Sequence, residues 1–208
     1  MTIYHWILLT AFSICFLSCL FQFLQIVLSK KSTDYAAPRG KIGKAIIYAF
    51  LGAMSPFKKE SARLHLPGYI AGILFHIGTF LSLFWLILCF FKLRTNTLIV
   101  NVSSFLLIVS VLSGIMILIK RMTKPEMRHL SSIDDYFSNF LVTGFQVLSI
   151  LTLFIGTPLP YLFVWATILF LYLPLGKLRH VVYFFTSRVH LGMFYGKRGV
   201  WPLNRQKL

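Results

Sequence analysis

The feature that most constrains this chain is a set of long stretches without Lys, Arg, Asp or Glu. A helix needs about 20 apolar residues to cross the hydrocarbon core of a bilayer. Three of the stretches have about that length, namely Ile3–Ser29, Leu66–Phe91 and Thr95–Ile119. The fourth, Tyr136–Gly176, is two helix lengths long, and a segment rich in Gly and Pro at 156–160 divides it. We predict an all-α integral membrane protein, a single domain with five transmembrane helices over about 3–29, 66–91, 95–119, 136–157 and 160–186.

The composition excludes several other classes of protein. Hydrophobic residues make up 57% of the chain and the mean hydropathy is +0.77, which is too apolar for a disordered segment. A disulfide scaffold is excluded because the three cysteines, Cys15, Cys19 and Cys89, lie inside apolar stretches. A net charge of +16 could indicate nucleic-acid binding, but the basic residues cluster in the segments between apolar stretches. We expect no nucleic-acid partner.

The distribution of basic residues predicts the orientation in the membrane. With the N-terminus outside, the inner segments 30–65, 120–135 and 177–208 carry eight, four and seven Lys or Arg, and the outer segments carry only Lys92 and Arg94. Cytoplasmic loops are the ones enriched in Lys and Arg, so we expect N-out and C-in. A signal peptide at Ile3–Ser29 is disfavoured, because no basic residue precedes it and Lys30-Lys31 follow.

The predicted inner segments carry further local signals. Residues 41–54 predict an amphipathic helix lying at the inner membrane surface. Its apolar face consists of Ile42, Ala45, Ile46, Ala49, Phe50 and Ala53. Ser131, three residues before Asp134, predicts an N-cap for the fourth span. In the basic tail 188–208, the segment 194–202 mixes aromatic with basic residues, which is typical of an interfacial anchor or of a docking element.

The chemistry available inside the spans is limited. No Asp, Glu, Lys or Arg lies deep in any predicted span. Ion-coupled transporters place such groups near the bilayer midplane, so transport is disfavoured. No P-loop, zinc motif or Ser/His/Asp constellation occurs, and histidine is the only ionisable ligand type left.

Two histidines share an arrangement that is typical of haem ligands. Gly68, Gly72 and His76 recur every four residues, which places them on one face of the second span. Gly176 and His180 repeat the spacing on the fifth span. Two facing histidines, each beside a missing side chain, could hold a six-coordinate haem between helices. The alternative is that the histidines form interhelical hydrogen bonds and the glycines permit close packing.

Basic residues near His180 could serve the same haem. Helical rise places both histidines in the inner half of the bilayer, at about 12 to 14 Å from its boundary. Arg179, Lys177 and Arg188 would then be positioned to pair with the haem propionates at the inner surface.

At these residues the chain resembles the gamma subunit of respiratory nitrate reductase and the membrane cytochrome b subunit of heterodisulfide reductase. The resemblance covers roughly 60–185 and agrees with five spans, N-out and C-in. The similar segments are Leu74-Phe75-His76-Ile77-Gly78, Leu173-Pro174-Leu175-Gly176-Lys177-Leu178-Arg179-His180, and Lys120-Arg121 with Pro125 and Arg128 leading into Asp134-Asp135-Tyr136.

The resemblance implies a haem-containing subunit of a respiratory complex in the cytoplasmic membrane of a prokaryote. Such a subunit passes electrons between a quinone, menaquinone or ubiquinone, and a cytoplasmic iron–sulfur partner subunit. Relatives with two haems carry a second ligand pair on the same helices, where this chain has Leu86 and, near the corresponding position, Leu162. We therefore expect one haem b, with His76 and His180 as its axial ligands. The alternatives are a haem-free membrane anchor of a redox complex and, less favoured, a small transporter.

The remaining histidines and the quinone site leave several possibilities. His65 and His190 could hold a second haem at the inner surface, although we expect both to contact water or a partner. His5 and His129 are expected to be surface or quinone-site residues. Candidate quinone contacts are His5, Lys92 and Arg94 on the outer side, or Tyr172 and Gln146 near the haem.

Overall fold

The computed structural model describes residues 2–29, 35, 37–58, 60–155, 157 and 160–202. Over these residues the chain is helical and contains no β-strand. The helices are α1 (Ile3–Leu28), α2 (Ile42–Phe50), α3 (Glu60–Leu64), α4 (Leu66–Phe90), α5 (Thr97–Thr123), α6 (Pro125–Leu130), α7 (Ile133–Ile155), α8 (Pro160–Tyr172) and α9 (His180–Lys197). Outside the described residues lie Lys30-Lys31, most of the predicted turn at 156–160, and the last six residues of the basic tail.

Four of the described helices are long and apolar enough to cross a membrane. They are α1, α4, α5 and α7, and they correspond to the first four predicted spans. By length and composition the number rises to five if α8 and the segment Lys177–Lys197 count together as one span.

The fifth span differs from the prediction, which was one continuous helix over 160–186. In the structure α8 ends at Tyr172, a turn follows, and a 3-10 helix at Lys177–Arg179 leads into α9. The cause is Pro174, which has no N–H to donate and whose ring clashes with the preceding turn of a helix. The Tyr172 carbonyl instead accepts hydrogen bonds from the N–H groups of Leu175 and Gly176, both at 3.0 Å.

By the contacts within it, the chain divides into two compact units. Unit 1 comprises Met1–Leu17 and Pro67–Leu178, and unit 2 comprises Ser18–Leu66 and Arg179–Leu208. Helix α1 therefore begins in unit 1 and continues into unit 2.

Unit 1 has its core where α4, α5 and α7 pack together. Trp85, Leu107 and Ile150 form a buried apolar cluster contributed by these three helices. About two helical turns before Trp85, a Cβ added at Gly78 would collide with the side chain of Ser110. Only glycine therefore permits this approach of α4 to α5. Helix α8 joins the unit through the Trp165 indole, whose Nε1 donates to the Leu141 carbonyl at 2.8 Å.

Unit 2 is built on the packing of α2 against α9. The predicted amphipathic helix is present as α2, but its small residues Ala45 and Ala49 are fully buried. On α9, a Cβ at Gly192 would lie 2.5 Å from the Ile46 Cα, and a Cβ at Gly196 would lie 2.7 Å from the Ala45 Cβ. Absent side chains thus allow the two backbones to approach closely, so one edge of α2 contacts protein.

The described part of the basic tail folds back onto the same pair of helices. The Trp201 ring packs against Tyr195 and Tyr48, with centroid distances of 4.6 and 5.4 Å. The Arg39 N–H donates to the Lys197 carbonyl at 2.7 Å, which joins the segment before α2 to the end of α9. The aromatic residues at this end of the tail are therefore engaged within unit 2.

Candidate functional site

His76 lies on an exposed face of α4, beside the gap that its spacing predicts. A Cβ added at Gly72 would meet no atom within 4 Å, and one added at Gly68 would approach only the Lys120 Nζ, at 3.2 Å. The side chain of His76 is itself exposed. The missing side chain at Gly72 therefore leaves room for a flat group one turn from the imidazole.

The backbone next to His76 is held by a buried glutamine. Gln146 on α7 is 0% exposed, and its Nε2 donates to the Phe75 carbonyl and to the Thr79 Oγ1, each at 3.1 Å. Its Oε1 accepts from the Ser110 Oγ at 2.9 Å. These bonds join α4, α5 and α7 at the residue preceding His76. They also leave Gln146 inaccessible, so its predicted contact with a quinone is not possible in this structure.

The surroundings of His180 differ from the prediction. His180 is exposed and is the first residue of α9, whereas Gly176 lies in the turn that follows α8. The two residues therefore do not share a helical face. The space beside Gly176 is filled by the ring of Tyr172, which a Cβ at that position would strike. The expected gap next to His180 is thus absent on the Gly176 side. His76 belongs to unit 1 and His180 to unit 2.

The three basic residues predicted to pair with propionates have separate surroundings. In unit 2, the Arg179 guanidinium lies 5.9 Å from the ring centroid of Tyr183, and that of Arg188 lies 5.5 Å from the centroid of Phe184. Lys177 belongs to unit 1, where its ammonium group contacts the Asp135 carboxylate. Lys177 is therefore already paired. The two arginines lie near His180 in the sequence, and the described ion pairs do not include either of them.

A cluster of charged and polar groups surrounds Asp135, whose side chain is 9% exposed. Arg121 pairs with its Oδ1 at 3.0 Å, and the backbone N–H and hydroxyl of Ser132 donate to its Oδ2 at 2.9 and 3.1 Å. The neighbouring Asp134 accepts from the Lys177 backbone N–H at 2.9 Å. This Asp135 cluster joins α5, the start of α7 and the turn after α8.

The cap of α7 is one residue later than predicted. The Asp135 side chain reaches back to Ser132, which is the arrangement of a capping box. Ser131 instead donates its hydroxyl to the Met127 carbonyl at 2.6 Å, on the preceding short helix. The serine at 131 therefore ends α6, and the serine at 132 begins α7.

Neutralising Asp135 is expected to weaken the fold of unit 1. Asp135→Asn keeps the side-chain volume and can still contact Ser132, but it leaves Arg121 and Lys177 without a counter-charge. Lys177 is about half exposed, so we expect a loss of only about 1 kcal/mol. Circular dichroism in detergent micelles should show a thermal midpoint about 3 °C lower. Glu126→Gln, at an exposed carboxylate of α6, is the matched control, and an equal shift in both variants would contradict the role of the cluster.

The other histidines fall into two groups. His5 is 4% exposed and packs between Phe90 and Phe163, with ring centroids at 5.2 and 4.9 Å, so the hypothesis that it is a surface residue is wrong. His65, His129 and His190 are exposed. Across the part of the chain that the structure describes, no group of three or more His, Cys, Asp or Glu side chains could hold a metal ion.

Lys92 and Arg94, the two basic residues of the predicted outer segments, line a cavity of about 540 Å³ in unit 1. The cavity also contacts Trp85, near the end of α4, and Thr152, near the end of α7. Lys92 and Arg94 are two of the three candidate quinone contacts predicted on the outer side, and the third, His5, is not among the residues that line the cavity.

In unit 1, His76 and Gly72 thus lie on one face of α4, whereas His180, in unit 2, begins a helix that departs from the predicted one. The resemblance to membrane cytochrome b subunits continues to rest on the quoted segments alone. No family model, no curated protein and no solved structure matches the chain.

Proposed function

We propose that the chain is a haem b-binding membrane subunit that carries single electrons between a quinone and a cytoplasmic iron–sulfur partner. The observation that best supports the proposal is the exposed imidazole of His76 beside the open space at Gly72. A planar macrocycle needs such a space next to its axial ligand. The resemblance of the segments around His76 and His180 supports it independently.

The residues around His76 fit a haem better than the residues around His180 do. His76 and His180 would supply the axial nitrogens, and Gly68 and Gly72 would face the ring. Arg179 and Arg188 would pair with the propionates, while Lys177 stays with Asp135 and Gly176 contributes no gap. When bound, the haem would supply reversible one-electron transfer. The chain contributes the ligands, the exclusion of water by apolar helices, and a fixed α4 backbone at Phe75.

The orientation proposed is N-out and C-in, in the cytoplasmic membrane of a prokaryote. Its support is the charge asymmetry, since basic residues dominate the inner segments and attract anionic lipid or an acidic partner. We propose that the iron–sulfur subunit docks on this basic face. Quinone exchange is proposed at the face of α4 that carries His76, because the buried Gln146 offers it no contact and the cations at Lys92 and Arg94 suit an anion better than a neutral ring.

The test is a reduced-minus-oxidised visible spectrum of the purified chain, with haem quantified per chain. We expect a b-type band with one haem per chain, which is lost in His76→Ala and in His180→Ala but kept in His129→Ala. Two haems per chain would support His65 and His190 as the ligands of a second haem. A well-folded chain without haem would contradict the proposal and favour the haem-free anchor.

Gly72→Leu separates haem binding from folding. Because the position is open and leucine has a helix propensity about 0.8 kcal/mol better than glycine, the thermal midpoint should not fall. The added side chain would occupy the space proposed for the macrocycle, so the haem content should fall. Unchanged haem content in a stable Gly72→Leu variant would contradict the proposed position of the ring.

A further inference from the structure

The cavity at Lys92 and Arg94 lies within unit 1, where α4 ends and α5 begins. Its volume of about 540 Å³ is in the range of small-ligand sites. The wall is apolar along Leu88, Val100 and Leu153, and the two cations are exposed at one side. This combination of a charged edge and an apolar interior is suited to an amphiphile.

The positive charge at this edge has no protein counter-charge among the described residues. The described ion pairs all involve Asp135, and the sequence contains no Asp or Glu between residues 61 and 125. Two cations at the entrance of a low-dielectric cavity attract an anion.

Lys92 occupies a backbone conformation that favours glycine. Its φ is 54°, in the left-handed region. The N–H groups of Lys92 and Leu93 donate to the carbonyls of Cys89 and Leu88, at 3.2 and 2.9 Å, which is the Schellman arrangement at the end of α4. A residue with a side chain costs about 1 kcal/mol at such a position. The fold therefore places a lysine at this edge in spite of a local conformational cost.

Trp85 also lines the cavity, and it belongs to the buried apolar cluster with Leu107 and Ile150. The wall of the cavity is therefore continuous with the packed core of unit 1, and its charged groups are Lys92 and Arg94.

We propose that this cavity binds an anionic glycerophospholipid, with its phosphate at Lys92 and Arg94 and an acyl chain along the apolar wall. A glycerophospholipid carries its anionic phosphate next to its acyl chains, which matches a cationic edge beside an apolar wall in a chain with helices long enough to cross a membrane. The proposal is independent of the haem.

The experiment titrates the full chain in a non-ionic detergent with phosphatidylglycerol or phosphatidylcholine of the same acyl chains, and counts bound lipid by native mass spectrometry. We expect phosphatidylglycerol to bind about tenfold more tightly, which corresponds to about 1.4 kcal/mol. The double variant Lys92→Gln/Arg94→Gln should lose this preference. The control Lys124→Gln/Arg128→Gln, at exposed cations between α5 and α7, should keep it.

One single substitution distinguishes a loss of lipid binding from misfolding. Lys92→Gly suits the left-handed conformation, so it should keep the thermal midpoint while it reduces the preference for the anionic lipid. Equal affinity for both lipids, or an equal loss in the control double variant, would overturn the proposal. Binding of soluble glycerol phosphate as tight as that of the lipid would also overturn it, because the source of the anion would then be the solvent.

Discussion

Gln146→Leu is expected to lower the stability of unit 1 by about 2 kcal/mol, since it removes three hydrogen bonds that hold α7 to α4 and α5. In helix bundles within membranes each such bond contributes modestly, but here the three share one side chain that is fully buried. The thermal midpoint in detergent should fall by about 5 °C. Circular dichroism at 222 nm measures the change.

Ser149→Ala is the matched control for Gln146→Leu. Ser149 is also buried on α7, but its hydroxyl bonds only to the Phe145 carbonyl of its own helix, at 2.9 Å. Its removal should leave the midpoint almost unchanged. If the two variants have the same thermal midpoint, the contacts of Gln146 do not hold α4, α5 and α7 together. Because Phe75 precedes His76, the proposed haem band should also broaden in Gln146→Leu and not in Ser149→Ala.

Gly192→Val is expected to have the larger effect, on unit 2. The new Cβ would lie 2.5 Å from the Ile46 Cα and 2.9 Å from its nitrogen, so the backbones of α2 and α9 would have to separate. Overpacking against a backbone that cannot rotate away costs about 3 kcal/mol. Limited digestion with trypsin measures the separation, since cleavage after Lys41 and Lys44 should become faster.

Gly43→Ala is the control within α2 itself, at a position where an added Cβ would meet nothing within 4 Å. It should slow cleavage slightly, because alanine has a better helix propensity by about 1 kcal/mol. Equal digestion rates for Gly192→Val and the unaltered chain would show that the close packing of α2 on α9 is not required.

The apolar stretches predicted four long helices well, because membrane-crossing length is a local property of the sequence. The charge-free stretch that ends at Gly176 predicted one continuous fifth helix, although Pro174 lies within it. The proline was the correct signal, since its missing N–H acts wherever it occurs. The spacing of Ser131 and Asp134 placed the predicted N-cap one residue before the serine that contacts Asp135.

Contacts between distant residues could not be predicted in the same way. Lys177 and Asp135 are 42 residues apart, and nothing local to either indicates the pair. The apolar face of α2 was visible, but such a face packs equally well on lipid or on another helix. The glycines at 192 and 196, spaced by four residues, were the signal for a close helix neighbour. The space at Gly72 is open because no described atom of a neighbouring element approaches it, and its use by a haem stays a prediction.

The packing of α2 against α9 sets an order of events during biosynthesis. The chain is made from its N-terminus, so α2 leaves the ribosome while most of the residues between it and α9 are still to be added. During that interval Ala45 and Ala49 have no glycine-lined partner, and an amphipathic segment in this position adsorbs to the bilayer surface. Unit 2 closes only when α9 has been synthesised, so α2 can exchange lipid for protein only after α4, α5, α7 and α8 have been made.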